Sequence, residues 1–412
     1  MQTLKNENGI TSPFYILSIF LLLTVALNGD LGGSRIVWWS TVAVFVVLAF
    51  ITQAKSLRIN TTYTIWLLLF SFVSFLSLAW ALSTTLVMTV LKSTVVYILL
   101  FSLLAASIKS RRDIDVLLSL ILAASVVNAL YLLIKNPDLI TSASDEIGGR
   151  LGTDENWNAN LVGMMCAFGT VIVLYFMLKQ KKKKPLPSIL FLVLFVFLAF
   201  ASFVTGSRKA FLAVIVGLFI YLLLRFKHRR FRILIFLAGI TVITFLLIYN
   251  VPVLYNIIGW RVEGLIASLT GKGEVDHSTI VRQQLTDIAV EAWKDRPLLG
   301  WGTDCVRIFS EAELGKSLYA HNNYLELLAD LGILGFTCFY WGYAYCIFKT
   351  WQHRADDTAK LMLALIVLML VLAIGCVHYN DFLFGVQTML FFSYIKIAKE
   401  SSSNVTTQNL SE

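Results

Sequence analysis

Apolar runs of about 20 residues, the length a helix needs to cross the hydrocarbon core of a bilayer, recur along almost the whole of this chain. About twelve can be marked, at 13–29, 36–52, 62–82, 86–107, 114–134, 159–178, 186–204, 208–225, 232–250, 322–348, 358–377 and 381–397. A chain of 412 residues is long enough for two or three soluble domains, but 58% of it is apolar and only 14% charged. A soluble domain carries about a quarter charged residues, so polar cover for water is lacking. The expected fold is an all-α integral membrane protein.

The basic residues test this segmentation. Lys55 and Arg58 fall between the second and third runs, and Lys109, Arg111 and Arg112 between the fourth and fifth. Lys181–Lys184 separate the sixth from the seventh, and Arg225, Lys227, Arg229, Arg230 and Arg232 the eighth from the ninth. Lys349, Arg354 and Lys360 follow the tenth, and Lys396 and Lys399 the twelfth. Every second connection is basic, as expected if those connections and both termini are cytoplasmic. The apolar run after Lys5 is accordingly read as a retained first helix rather than a cleaved leader. The net charge of +9 is spread over these clusters, which fits membrane orientation and not a nucleic-acid partner. Four of the five cysteines lie in apolar runs and only Cys305 in a long loop, so neither a disulfide framework nor a cysteine metal site is expected.

The complementary connections, 28–35, 135–158, 204–208, 251–321 and 377–381, then lie outside. The chain divides into a membrane part at 1–250, a large extracytoplasmic loop at 251–321, a second membrane part at 322–397 and a polar cytoplasmic tail at 398–412, disordered from Ser401 onward. A loop of about 70 residues is too long to be structureless in a compact protein. Within it Val281, Leu285, Ile288, Ala289 and Ala292 recur at helical spacing, with Ser278 or Thr279 available to cap and Arg282 at the edge of the stripe. Pro297-Leu-Leu-Gly-Trp-Gly302 follows and ends the helix. Such a helix either lies on the membrane surface as a lid or roofs a cavity.

The loop ends at His321, just before the tenth run. Asn323 and Glu326 have the spacing of a capping box there, while Glu326 and Asp330 are acids in the first turns of a span that either pair with an arginine or face a polar cavity. Gly332 and Gly335 suit close helix approach. An imidazole at this point either hydrogen-bonds within the loop or serves as a general base. Two further segments meet the same side of the membrane. Thr205-Gly-Ser-Arg-Lys-Ala210 is a very short turn that leaves Arg208 at membrane level, as an interfacial anchor or an anion ligand. The glycine-rich stretch from Gly148 to Asn160 carries Arg150 ahead of the sixth run, with Asn158 or Asn160 able to cap the helix or bind sugar hydroxyls. Arginine grips phosphate oxygens bidentately, so three arginines with one histidine on a single face read as a diphosphate site beside a base.

These residues resemble the O-antigen ligase and polysaccharide polymerase superfamily, multi-spanning glycosyltransferases of bacterial envelopes. His321-Asn322, nine residues, then Gly332-Ile-Leu-Gly335 is similar to its ligase signature. Ser207-Arg208 resembles its Ser-Arg turn, Arg282 with Pro297–Gly302 its large periplasmic loop, and Arg150 to Asn160 its lead-in to a membrane helix. One departure is Asn158-Ala159-Asn160, where the family often has Asn-Pro-Asn.

The resemblance implies a GT-C-like fold of the bacterial inner membrane and a glycan donor on undecaprenyl diphosphate, working in cell-surface polysaccharide biosynthesis. It implies His321 as base toward an acceptor sugar hydroxyl, with Arg208 and Arg282 on the diphosphate. Arg150, Asn160, Asn322 and Glu326 would contact substrate, the anomeric carbon would invert, and neither metal nor other cofactor would be required. Ligase and repeat-unit polymerase are equally compatible with the sequence. A transporter fits less well, because span interiors are nearly free of charge, Lys92 being the main exception.

Overall fold

A computed structural model describes residues 40, 43–44, 46–47, 58–135, 159–180, 185–270, 272 and 277–409. The span expected at 13–29, most of that at 36–52, Arg150, Asn158 and the run Lys181–Lys184 lie outside the described residues. Among the described residues there is no strand. In a bilayer each unpaired backbone group costs several kcal/mol, and a helix satisfies its own.

The helices are α1 (Thr61–Leu76), α2 (Thr84–Ser107), α3 (Arg111–Lys135), α4 (Ala159–Lys179), α5 (Pro185–Val204), α6 (Arg208–Arg225) and α7 (Arg230–Asn250). The long loop holds α8 (Trp260–Thr270), α9 (His277–Asp295) and α10 (Val306–Leu314). After it come α11 (Asn323–Gln352), α12 (Asp357–Leu372) and α13 (Phe382–Asn409). Seven of these stretches are long and apolar enough to cross a membrane, so the chain is an all-α, multi-pass membrane protein. Helix α6 coincides with the expected eighth span, 208–225. It is bounded by Arg208 and Lys209 at one end and Arg225 at the other, which fixes the depth of both ends.

Helix α4 is the centre of the bundle: 72% of its apolar window is buried, against 6% for the stretch containing α7. Phe231, Ile235, Phe236, Val242 and Ile243 of α7 are exposed, as side chains facing lipid would be. Four ion pairs fasten the end of the bundle opposite the long loop: Arg111 with Asp356, Lys179 with Asp115, and Arg225 and Lys360 with Asp357. The last helix departs from expectation. It runs through the polar residues past 397 as far as Asn409, where a tail without structure was expected from Ser401. Hydroxyls of Ser401 and Ser402 bond back to the carbonyls of Ile397 and Ala398, so the turn is satisfied without an apolar face.

The feature that positions the site is a break in α11. Gly332 has φ 62° and ψ −166°, which removes it from the helix. In an unbroken helix the N–H groups of Ile333 and Leu334 would donate to the carbonyls of Ala329 and Asp330. Here Ile333 and Leu334 donate instead to Pro297 and Leu298, at 2.9 and 3.3 Å, while Ala329 and Asp330 accept from Trp301 and Gly302, at 3.0 and 2.8 Å. The loop segment 297–302 is thus threaded into the hydrogen-bond ladder of a membrane helix. Its other edge rests on the α1–α2 turn: Leu82 donates to the Trp301 carbonyl, the Trp80 indole to that of Leu299, and the Ser74 and Thr303 hydroxyls bond at 2.7 Å.

Gly332 therefore does something other than ease helix packing, the role expected for it. A Cβ at this position would overlap the Leu298 carbonyl, and its φ is one that side chains rarely tolerate. Gly332→Ala should cost about 3 kcal/mol or more, combining backbone strain with overlap. Gly315→Ala has the same sign of φ but open space around it, and should cost about 1 kcal/mol. Thermal unfolding of the two variants in detergent should separate them; equal midpoints would count against the threaded segment.

Candidate active site at the loop end of the bundle

Helix α6 begins on the Ser207 hydroxyl, which accepts from the Ala210 N–H and donates to Asn160 Oδ1 at 2.8 Å. Asn160 therefore ties the start of α4 to the turn that presents Arg208. The Arg208 guanidinium donates to the Arg261 carbonyl at 3.2 Å, to Thr279 Oγ1 at 3.0 Å and to Ser278 Oγ at 3.1 Å. Ser278 and Thr279 were expected to cap the loop helix. The helix begins at His277, so both lie inside its first turn and their hydroxyls serve Arg208. These three contacts orient the guanidinium. Arg282 lies three residues beyond Thr279, on the same side of α9. The Arg208 contacts thus bring Arg208 and Arg282 to one place.

A small second core joins this loop to the membrane helix that follows it. Ala289 and Ala292 of α9, Val306 of α10, Ala320 just before α11 and Ala329 within it are all buried together, with Trp293, Trp301, Phe309 and Leu325 packed around them. The Trp301 indole donates to the Ala292 carbonyl at 2.7 Å. Ala320 precedes His321, so the same cluster that seats α9 also seats the histidine.

His321 sits at φ 53°, the left-handed region, between this core and the start of α11. Three groups hold it there. The Asn322 side chain caps α11 by accepting from Tyr324 and Leu325, at 3.0 and 3.2 Å. Glu326 accepts from the Ala320 N–H. Asn323 accepts from the N–H groups of His378 and Tyr379 and donates to the Tyr340 hydroxyl, which fastens the turn after α12 to the same point. This corrects the capping box expected from Asn323 and Glu326. The cap is one residue earlier, and Glu326 reaches the backbone before the histidine instead. Among the described residues neither Glu326 nor Asp330 forms an ion pair with an arginine. Asp330 accepts from the N–H groups of Asp304 and Val306 and so holds the loop where it leaves the break.

The imidazole packs on Tyr319, ring centroids 4.1 Å apart, and Arg307 lies over the other ring at 5.3 Å. Arg307 is in turn bonded to Asp304 at 2.8 Å. Burial holds the His321 pKa down to about 3, and the positive charges of Lys209, Arg282 and Arg307 push the same way. Its Nδ1 is buried without a hydrogen-bond partner among the described residues. The result is a neutral imidazole surrounded by cations.

The structure thus brings His321, Asn322, Glu326, Arg208, Arg282 and Asn160 to one end of the bundle, while Arg150 lies outside the described residues. Asn322, Glu326 and Asn160 act on the protein's own backbone and side chains here. Two cations near the histidine were missed. Lys209 had a signal, because it follows Arg208 in the same short turn, and its stem runs against Gly375. Arg307 had none beyond an acid three residues earlier.

The chain is a multi-pass helical bundle whose long loop is threaded into a broken membrane helix, with His321 and several cations gathered at the loop end. Residues 193–340 match the O-antigen ligase family. The match supports the O-antigen ligase/polymerase superfamily, whose members are glycosyltransferase-like enzymes with lipid-linked glycan substrates. The match supports O-antigen ligase/polymerase-type function in general terms. No curated protein matches the chain.

The electrostatics have a measurable consequence. An ordinary histidine titrates near pH 6.5. With a pKa of about 3, His321 should stay neutral as the pH falls from 7.5 to 5. Nitrogen-15 histidine spectra, assigned by loss of the signal in His321→Gln, should show no protonation of this ring in that interval.

Proposed function

We propose that this protein moves a glycan from undecaprenyl diphosphate to a sugar hydroxyl at the outer face of the bacterial cytoplasmic membrane, with inversion and without a metal. The observation that carries this reading is the neutral His321 imidazole set among Lys209, Arg282 and Arg307, beside Arg208. A base must be unprotonated to act, and a leaving diphosphate must have its growing charge met.

In the proposed reaction His321 takes the proton of the acceptor hydroxyl as its oxygen attacks the anomeric carbon. The bond from that carbon to the phosphate oxygen breaks, and undecaprenyl diphosphate leaves with the electron pair. Arg208 and Arg282 hold the diphosphate and stabilise its charge, in the role a divalent cation plays elsewhere. Arg150 joins them from the 135–158 segment. Asn322 and Glu326 keep His321 in its left-handed conformation, and Asn160 keeps the Arg208 turn in place, so their contribution is to position rather than to react.

The resting site is also a weak base, because burial first, and the nearby cations second, depress the His321 pKa. A diphosphate among Lys209, Arg282 and Arg307 would offset the second of these causes, so the base gains some strength as the donor binds. The reaction is placed on the outer face, with 251–321 as an extracytoplasmic loop, because the basic clusters alternate as they do.

Reconstitution with a purified polyprenyl-diphosphate glycan and candidate acceptors tests the reading. His321→Ala should abolish transfer, a loss of at least about a hundredfold for a general base, while donor binding persists. Full activity in that variant would remove His321 from the mechanism. Arg208→Lys and Arg282→Lys should each leave activity well short of the original, since one ammonium does not reproduce a bidentate grip. Product length separates the two acceptor classes: a single increment marks ligation of a preformed chain, and a ladder marks polymerisation.

A further inference from the structure

The opposite end of the bundle holds a second cationic site that the transfer reaction does not use. A cavity of about 980 Å³ opens where α6 turns into α7 and where α11 turns into α12. Arg225, Lys227, Arg229, Arg230, Arg354 and Lys360 line it. Asp357 answers two of these, bonding Arg225 at 2.9 Å and Lys360 at 2.8 Å, so one carboxylate is shared between two cations. Among the described residues no acid pairs with Lys227, Arg229 or Arg230, all three exposed to the cavity mouth. The Arg225 Nε is buried without an acceptor. Arg354 stacks over the Trp351 ring at 5.1 Å and donates to the Trp351 carbonyl, and among the described residues it has no acid partner.

Orientation in the membrane depends on how many basic residues a connection carries. It does not require that residues from two connections surround one cavity. The contrast with the neighbouring cations is direct: at the same end Arg111 has Asp356 and Lys179 has Asp115. The cavity also has an apolar side formed by Leu224, Phe226 and Trp351. Next to it rises α7, whose Phe231 and Ile235 are 75% and 58% exposed. Charge at the helix ends and bare apolar surface beside it match a molecule with a phosphate head and acyl chains.

We propose that this cavity binds the phosphate head group of an anionic phospholipid, with the acyl chains laid along α7. The guanidinium groups of Arg229, Arg230 and Arg354 take the phosphate oxygens, and the lipid fills the space between the two connections. The bound lipid then links the otherwise loosely packed α7 to α11 and α12. Inorganic phosphate carries the same charge but makes no use of the apolar wall.

The test is lipid binding by the purified full chain in neutral detergent, measured by native mass spectrometry and by thermal unfolding. Cardiolipin and phosphatidylglycerol should be retained and should raise the unfolding midpoint, and phosphatidylcholine should do neither. R229Q/R230Q should bind cardiolipin roughly 10- to 30-fold more weakly. R58Q/K109Q removes the same charge from the same end outside the cavity, and should bind as the unaltered chain does. Equal weakening in both double variants would overturn the proposal, since binding would then follow overall charge. An equal midpoint shift with inorganic phosphate alone would also overturn it in favour of a soluble anion. Because the readout is binding and stability, it is independent of whether the chain transfers glycans.

Discussion

The break in α11 decides where everything else can go. Two N–H groups and two carbonyls of a membrane helix are released at Gly332, and leaving such groups unpaired away from water costs about 1–3 kcal/mol each. Segment 297–302 supplies all four partners, which is why proline, glycine and glycine stand at 297, 300 and 302. The loop is consequently part of the bundle's own hydrogen bonding and not an appendage. Asp330, at the edge of the break, takes the Asp304 and Val306 N–H groups, and the small core beneath Trp301 seats α9 and Ala320 together. His321 follows this seam, where loop and helix are held in fixed register.

The second constraint is charge. A buried imidazole near three cations is costly to protonate, and the cations repel one another with little water to screen them. An arrangement of this kind is relieved by an anion. In the proposed reaction the diphosphate brings negative charge to these cations, and the same event that holds the leaving group offsets their part in depressing the base. Arg208 is aimed by Ser278, Thr279 and the Arg261 carbonyl.

Most of the architecture was legible in the sequence because hydrocarbon permits so few solutions. Ten of the expected spans are helices among the described residues, with ends that shift by a few positions. What was not legible depends on contacts between distant segments. Nothing local distinguishes Gly332 as a helix break from Gly332 as a packing glycine; the difference lies in Pro297 and Leu298, more than thirty residues away. The same holds for Ser278 and Thr279. Hydroxyls at a helix start suggest caps, but an arginine from another helix claims them. Asn322 and Asn323 divide the work that one capping residue was expected to do, and only the turn at His378 and Tyr379 explains why two asparagines follow the histidine. The extension of α13 into polar sequence was missed because apolar patterning reports burial, and a helix leaving a membrane needs none.

In the proposed reaction His321, Arg208 and Arg282 respond to two things, negative charge on a leaving group and a proton on an attacking hydroxyl. Both are common to joining a finished chain to a terminal acceptor and to adding one repeat to another lipid-linked chain. In the proposed reaction the choice between them therefore falls outside His321, Arg208 and Arg282, on the groups that orient the acceptor sugar above the pocket. Asn322, Glu326 and Asn160 are already engaged in holding the histidine and the arginine turn, which leaves them poor readers of a sugar. In that reaction acceptor selection is better suited to side chains on the outer surface of α9 and α10. Those surfaces can vary in sequence without disturbing the hydrogen bonds that keep the base and the cations in register.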